Sequence, residues 1–243
     1  MVAALSTLTA LDASHAAKAS QQARLQGRSP QAIEFGLRAT RGDQGRPDYW
    51  DTLGLAYVEA QRLNDAALAF RRASELAPYD VRYLGDLARA YLELAQKGDT
   101  AAGRRARDAA ETAVRADPNN PQAQFTRALV MQVTDDLPEA LRSAERALAL
   151  DPQSMTDALW VTATQIELAS GHPTEAVSVA RQGLAVFGAT KRTIPLRMEL
   201  ARALAASGGR SDALHELDIA LSIQPNDPSV LQLRAQINAG SGS

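Results

Sequence analysis

Trp50-Asp-Thr-Leu-Gly-Leu-Ala-Tyr57, followed after eight intervening residues by Ala66-Ala-Leu-Ala-Phe70-Arg-Arg-Ala73-Ser-Glu-Leu-Ala-Pro78, is the stretch whose pattern settles the fold class. Trp50, Leu53 and Tyr57 recur at three and four residues, so they share one face of a helix. Ala66, Phe70 and Ala73 do the same on a second helix. Gly54 and Ala66 are small enough to let the two backbones approach closely. Pro78 cannot continue a helix, so it ends the second one and turns the chain. The segment therefore reads as two antiparallel helices packed face to face.

The same unit recurs along the chain. Taking the small residue near the start of each second helix as an anchor gives Ala32, Ala66, Ala106, Ala140, Ala176 and Ala213, separated by 34, 40, 34, 36 and 37 residues. A period in this range marks a helical repeat array. Pro118, Pro152 and Pro225 close units in the same register, whereas the fifth unit has Gly188 and the first Gln44. The six surplus residues of the third unit are expected around Lys97-Gly-Asp-Thr-Ala-Ala-Gly103, lengthening the connection or its flanking turns. Helix starts are marked at Ser29-Pro30, Asn120-Pro121 and Asp227-Pro228, each a capping side chain before a proline at the first helical position. Asp136 and Glu139 have capping-box spacing. Gly171 and Gly208-Gly209 break the chain between paired helices.

The residues Trp50, Leu53, Gly54, Tyr57, Ala66, Phe70, Ala73 and Pro78 fit the W-x2-L-G-x2-Y, A-x3-F and P pattern, so this segment resembles the tetratricopeptide repeat. The resemblance implies an all-α, right-handed superhelical solenoid of about six helix pairs. The expected units are 1–46, 47–80, 81–120, 121–156, 157–193 and 194–227, with a capping helix at 228–238 and a flexible tail at 239–243. In the cap, Val230, Leu233 and Ile237 can face the stack while Gln232, Arg234 and Gln236 face water.

Composition bounds the function. The chain has 243 residues, 26 basic against 28 acidic side chains and a net charge of −2, so it carries no electrostatic footprint for nucleic acid. It has no cysteine, which excludes disulfides and thiolate metal sites. No apolar run reaches the ~20 residues of a membrane span. The mildly apolar start, Met1 to Leu11, lacks a basic flank and reads as the first turns of a helix; the other reading is the trimmed end of a longer hydrophobic segment. Neither composition nor motif separates a cytoplasmic from an extracytoplasmic location, and self-association into a homo-oligomer stays open.

No catalytic motif is visible. His15, His172 and His215 lack H-E-x-x-H spacing, and no phosphate-cradling loop or nucleophile elbow occurs. No cofactor or metal is expected, and none of the residues reads as catalytic. Arg104, Arg105, Arg107 and Arg115 make one helix start basic, which a solvated face with Glu111-to-Arg115 pairing accounts for. Tyr57 and Tyr91 occupy core positions of the repeat, while Tyr79 and Tyr83 are expected to pack in the inter-repeat turn.

The resemblance further implies that the first helix of each pair lines a concave groove that holds a protein or peptide partner. Its polar part comprises Asp51, Arg82, Asp86, Arg89, Gln165 and Arg202. Its apolar strip comprises Phe125, Leu129, Val133, Val161 and Leu168, and this strip is the expected binding surface, because exposed apolar area often marks an interaction site. One subfamily uses a clamp of lysines and asparagines for acidic chaperone tails. Here the matching positions hold Asp51, Leu55, Gly85 and Asp86, so that ligand is not expected. The run Ala77-Pro-Tyr-Asp-Val-Arg-Tyr-Leu-Gly-Asp-Leu-Ala-Arg-Ala-Tyr-Leu92 is also similar to repeats appended to bacterial O-antigen-ligase-like membrane proteins. That resemblance implies an alternative: the soluble domain of a membrane-bound polysaccharide ligase or polymerase.

Overall fold

The computed structural model describes residues 2–151 and 156–239, which form thirteen α-helices and no strand. Pro152 and the Gly240–Ser243 tail lie outside the described residues. The chain divides into two compact units, residues 1–134 and 135–243.

The first unit contains α1 (Val2–Leu25), α2 (Ser29–Gly42), α3 (Pro47–Glu59), α4 (Leu63–Leu76), α5 (Val81–Gln96), α6 (Thr100–Ala116) and α7 (Pro121–Val133). Consecutive helices pack on one another, and α1 also meets α3 and α5 meets α7. The core is built from the repeat positions: Leu53, Tyr57, Ala66, Phe70, Leu87, Ala88, Tyr91, Ala106, Ala110 and Val130 are all buried in one cluster. Burying a side chain such as Phe70 contributes about 1.5–3 kcal/mol. The fully buried alanines Ala32, Ala66 and Ala106 sit where paired helices cross, and their small size sets the close approach.

The second unit contains α8 (Leu137–Leu150), α9 (Asp157–Ala169), α10 (Pro173–Phe187), a single 3-10 turn at Lys191–Thr193, α11 (Ile194–Ala206), α12 (Arg210–Ile223) and α13 (Pro228–Ala239). Its core joins Trp160, Ala180, Leu196, Leu200, Leu204, Leu217, Val230 and Leu233. Val230 and Leu233 place α13 as the cap of this stack, and Arg234 pairs with Asp218 at 3.1 Å on its polar side.

The within-pair turns share one device. Gly27, Gln61, Gly98, Gly171 and Gly208 each have positive φ. In each case the next residue's amide donates back across the turn: Arg28 to Ala23, Arg62 to Tyr57, Asp99 to Leu94, His172 to Glu167 and Gly209 to Leu204, over 2.7–3.0 Å. This is the left-handed helix stop that satisfies otherwise orphaned carbonyls.

Three local expectations change. Ser29 is the first residue of α2 rather than its cap, and no side chain caps that helix; Asn120 and Asp227 do cap, accepting from Ala123 N and from Ser229 N and Val230 N. The surplus residues of the third unit do not lengthen its connection, which is only residues 97–99. They lengthen the helices instead: α5 and α6 have 16 and 17 residues where α3 and α4 have 13 and 14, three more each. Each added residue gains a backbone hydrogen bond in a helix that it would lack in a loop. Finally, Tyr83 is buried but Tyr79 is 83% exposed, so only the former packs.

Candidate functional site

The first helices of the first unit's pairs present a cavity of about 300 Å³, lined by Asp51 of α3, by Val81, Arg82, Gly85, Asp86 and Arg89 of α5, and by Gln122, Ala123 and Thr126 of α7 with its capping Asn120. The repeat explains the convergence. Asp48, Arg82 and Gln122 hold one register position, Asp51, Gly85 and Phe125 the next, and Thr52, Asp86 and Thr126 a third, offset by 34 and then 40 residues.

The two arginines of the lining are already committed. Arg82 pairs with Asp80 at 2.9 Å, donates to the Tyr83 hydroxyl at 3.1 Å and lies over the Tyr83 ring at 4.8 Å from its centre. Burial works to raise the Asp80 carboxyl, but hydrogen bonds from Arg82 outweigh it and hold Asp80 below its ordinary value. Arg89 forms an ion pair with Asp86 one turn away.

Asp51 is the exception. Its Oδ1 is buried with no hydrogen-bond partner. Burial first, then the charge and carboxyl of Asp86, push its pKa up to about 7, against the opposing pull of Arg82 and Arg24. Two facing carboxyls can hydrogen-bond only if one keeps its proton. Across the cavity, Thr126 is 1% exposed and its hydroxyl also has no hydrogen-bond partner. A β-carbon at Gly85 would stand 3.9 Å from that hydroxyl and meet nothing nearer, so glycine keeps this side of the cavity open. A shifted acid and an unsatisfied hydroxyl lining one cavity make it the candidate ligand site of this unit.

Four of the expected polar groove residues, Asp51, Arg82, Asp86 and Arg89, therefore share one cavity. The other two meet elsewhere, in the second unit: Gln165 donates to Glu199 at 2.9 Å and Arg202 to the same carboxylate oxygen at 2.6 Å. Glu199 is buried and satisfied by this pair of donors.

The expected apolar strip fares differently. Phe125 is only 7% exposed, and Leu129 is half-buried against the core of the first unit. Val133, at 40%, stays exposed. In the second unit Val161 is half-buried against the core, and Leu168 is half-buried. Phe125, Leu129 and Val161 turn into the stack because burial stabilises them more than a solvated groove does. Gly85, Asn120 and Gln122 lie outside the expected site, whereas Thr126 is an inner position of the fourth unit beside Phe125. The register offset of 40 residues from Arg82 and Asp86 points to Gln122 and Thr126, once the surplus six are known to lie within helices.

Among the described residues no cluster of three or more metal-ligating side chains occurs, and no helix is long and apolar enough to cross a membrane. His172 Nδ1 lies 3.1 Å from Glu167 of the preceding helix, a local contact across the turn.

No protein-family model and no curated protein matches the chain. Solved structures do. A tetratricopeptide repeat protein from Parabacteroides merdae is similar over 94% of this chain and 85% of its own, with a TM-score of 0.68 at 14% identity. A thermophilic repeat protein from Thermus thermophilus is similar over 79% and 99%, with a TM-score of 0.59 at 20% identity. YrrB, described as a repeat protein with an unusual peptide-binding site, is similar over 82% and 97%, with a TM-score of 0.58 at 18% identity. With the repeat residues in the core and these likenesses in three dimensions, the chain has the tetratricopeptide-repeat fold.

Proposed function

We propose that this chain is a non-catalytic interaction scaffold that holds an extended segment of a protein partner against the cavity between α3, α5 and α7. The observation that carries this reading is the pair of buried polar groups in the cavity wall, Asp51 Oδ1 and the Thr126 hydroxyl, neither with a hydrogen-bond partner. Leaving such groups unsatisfied costs about 1–3 kcal/mol each, which an incoming ligand can recover. The polar part of the expected groove, not its apolar strip, is then the contact surface. The fold supports a peptide ligand, since YrrB shares it and has a peptide-binding site.

The test is selection of twelve-residue peptides on the intact chain from a random display library. Binders should be lost with Gly85→Leu, which fills the cavity with a good helix former, and kept with Leu68→Glu on the exposed face of α4. Binding that survives Gly85→Leu and disappears with Leu68→Glu would move the site to the other face.

A further inference from the structure

We propose that the cavity seats a primary ammonium group, delivered by a lysine side chain of the bound segment. This rests on the groove reading above and names the chemistry it selects.

Charge comes first. Around the cavity, Arg82 is held by Asp80 and Arg89 by Asp86. On the neighbouring helices Arg24 pairs with Glu59 at 3.0 Å and Arg46 with Asp48 at 2.9 Å. Lys18 of α1 lines the adjoining depression with Asp51 but forms no ion pair with it among the described residues. Each of these four arginines thus has its own carboxylate, and Asp51 forms no ion pair with any of them or with Lys18. A ligand that completes the site brings one positive charge.

Shape selects the kind of cation. An ammonium offers three donors in a tetrahedral spread, whereas a guanidinium is held best by two free oxygens of one carboxylate in a plane. Asp86 is occupied by Arg89, and Asp51 turns toward Asp86, so no flat carboxylate face is open. Single acceptors are: the Asp51 carboxylate, the Thr126 hydroxyl, and the side-chain carbonyl of Gln122 on the same wall. Rotation of the Asp51 carboxylate about its soft terminal torsion turns the buried oxygen into the cavity. Val81, Ala123 and the bare Gly85 backbone line the path for the methylene stem, which lysine buries while its head stays polar.

A proton on Asp51 competes with that cation. With Asp51 raised to about 7, part of the population is neutral near physiological pH. The groups facing it are Lys18 and Arg24 from α1, Asp48 and Tyr49 on its own helix, and Arg82, Tyr83, Asp86 and Arg89 from α5; α7 contributes only neutral side chains. An arriving ammonium displaces the proton, so lysine binding strengthens as pH rises from 6 to 8.

The experiment uses the intact chain and the library-selected peptides. Selected sequences should share a lysine. Acetylating it, or Asp51→Asn or Thr126→Val in the protein, should weaken binding, the first two by at least about tenfold. The wild-type affinity should rise with pH and the Asp51→Asn affinity should not. Peptides that depend on an open Gly85 but ignore acetylation would overturn the ammonium and leave the groove reading standing. Peptides indifferent to Gly85→Leu would overturn both. Arginine replacing lysine without loss would overturn the geometric argument. Competition by n-butylammonium as strong as the lysine peptide itself would assign the site to a free amine and overturn the lysine source.

Discussion

The ring of Phe70 lies so close to Gly54 that a β-carbon there would come within 2.5 Å of its Cε1 and 2.7 Å of its Cδ1. The glycine of the first helix and the phenylalanine of the second are a matched pair, set sixteen residues apart in the chain. Gly54→Ala should destabilise the protein by about 1–3 kcal/mol through overpacking, despite alanine's better helix propensity. Denaturant unfolding measures it. Adding Phe70→Leu should return part of the loss, so the two changes are less than additive. Full additivity would show that the contact is not what fixes the glycine.

Asp51 predicts a pH dependence of stability. Its carboxyl has an ordinary value of 3.8 and a folded value of about 7, so the folded protein binds this proton more tightly than the unfolded chain does. The stabilisation is complete below pH ~4 and is lost as pH rises through ~7. Asp51→Asn keeps the shape and never ionises. It should exceed the parent in stability at pH 8 by on the order of 1–4 kcal/mol, with the difference shrinking toward pH 4. Urea unfolding of both proteins at the two pH values gives the comparison, and a pH-independent difference would remove the proton from Asp51.

Gln61 holds the left-handed turn position that glycine holds in four of the other turns, with φ of 59°. A non-glycine residue pays about 1–2 kcal/mol there, and glycine's larger unfolded freedom cancels up to about 1 kcal/mol of the relief. Gln61→Gly should therefore raise stability by roughly 0.5–1 kcal/mol, and a rise of a few degrees in melting temperature reads it out. The lost side-chain contact from Lys97 is exposed and counts for little.

In the second unit Arg197 and Glu216 form an ion pair whose side chains are largely buried, and Arg197 Nε has no partner. Arg197→Ala should cost about 3–5 kcal/mol, because it leaves Glu216 charged without compensation. The double change Arg197→Met and Glu216→Leu should recover most of that loss. A double variant as unstable as the single one would mean that the pair, not the desolvation of a lone charge, holds α11 to α12.

Much of this fold is legible in one line of sequence. Helical spacing of Trp50, Leu53 and Tyr57, and the recurrence of small anchors, require stacked helices, since no other arrangement buries those faces. The turn glycines at 171 and 208 are equally plain. Gln61 is not, because nothing local distinguishes a glutamine forced into a left-handed turn by its neighbours. The site was half visible. Asp51, Arg82, Asp86 and Arg89 follow from the register of the inner face. Phe125 follows the same register yet is buried, because whether an inner position is open depends on the size of its neighbours across the stack. Thr126 follows the register too, but its role is hidden for a related reason: a threonine becomes chemically informative only when packing strips it of partners.

The matched lengthening of α5 and α6 bears on how such chains change over time. Insertions are usually absorbed by loops, where length is cheap. Here α5 is three residues longer at its end than α3, and α6 three longer at its start than α4, about one more turn of hairpin across the tight 97–99 connection. A single insertion in either helix would leave its new turn without a facing partner. In this pair the length is matched on both sides of the connection, so shortening one helix alone would strip the last turn of the other of its packing partner.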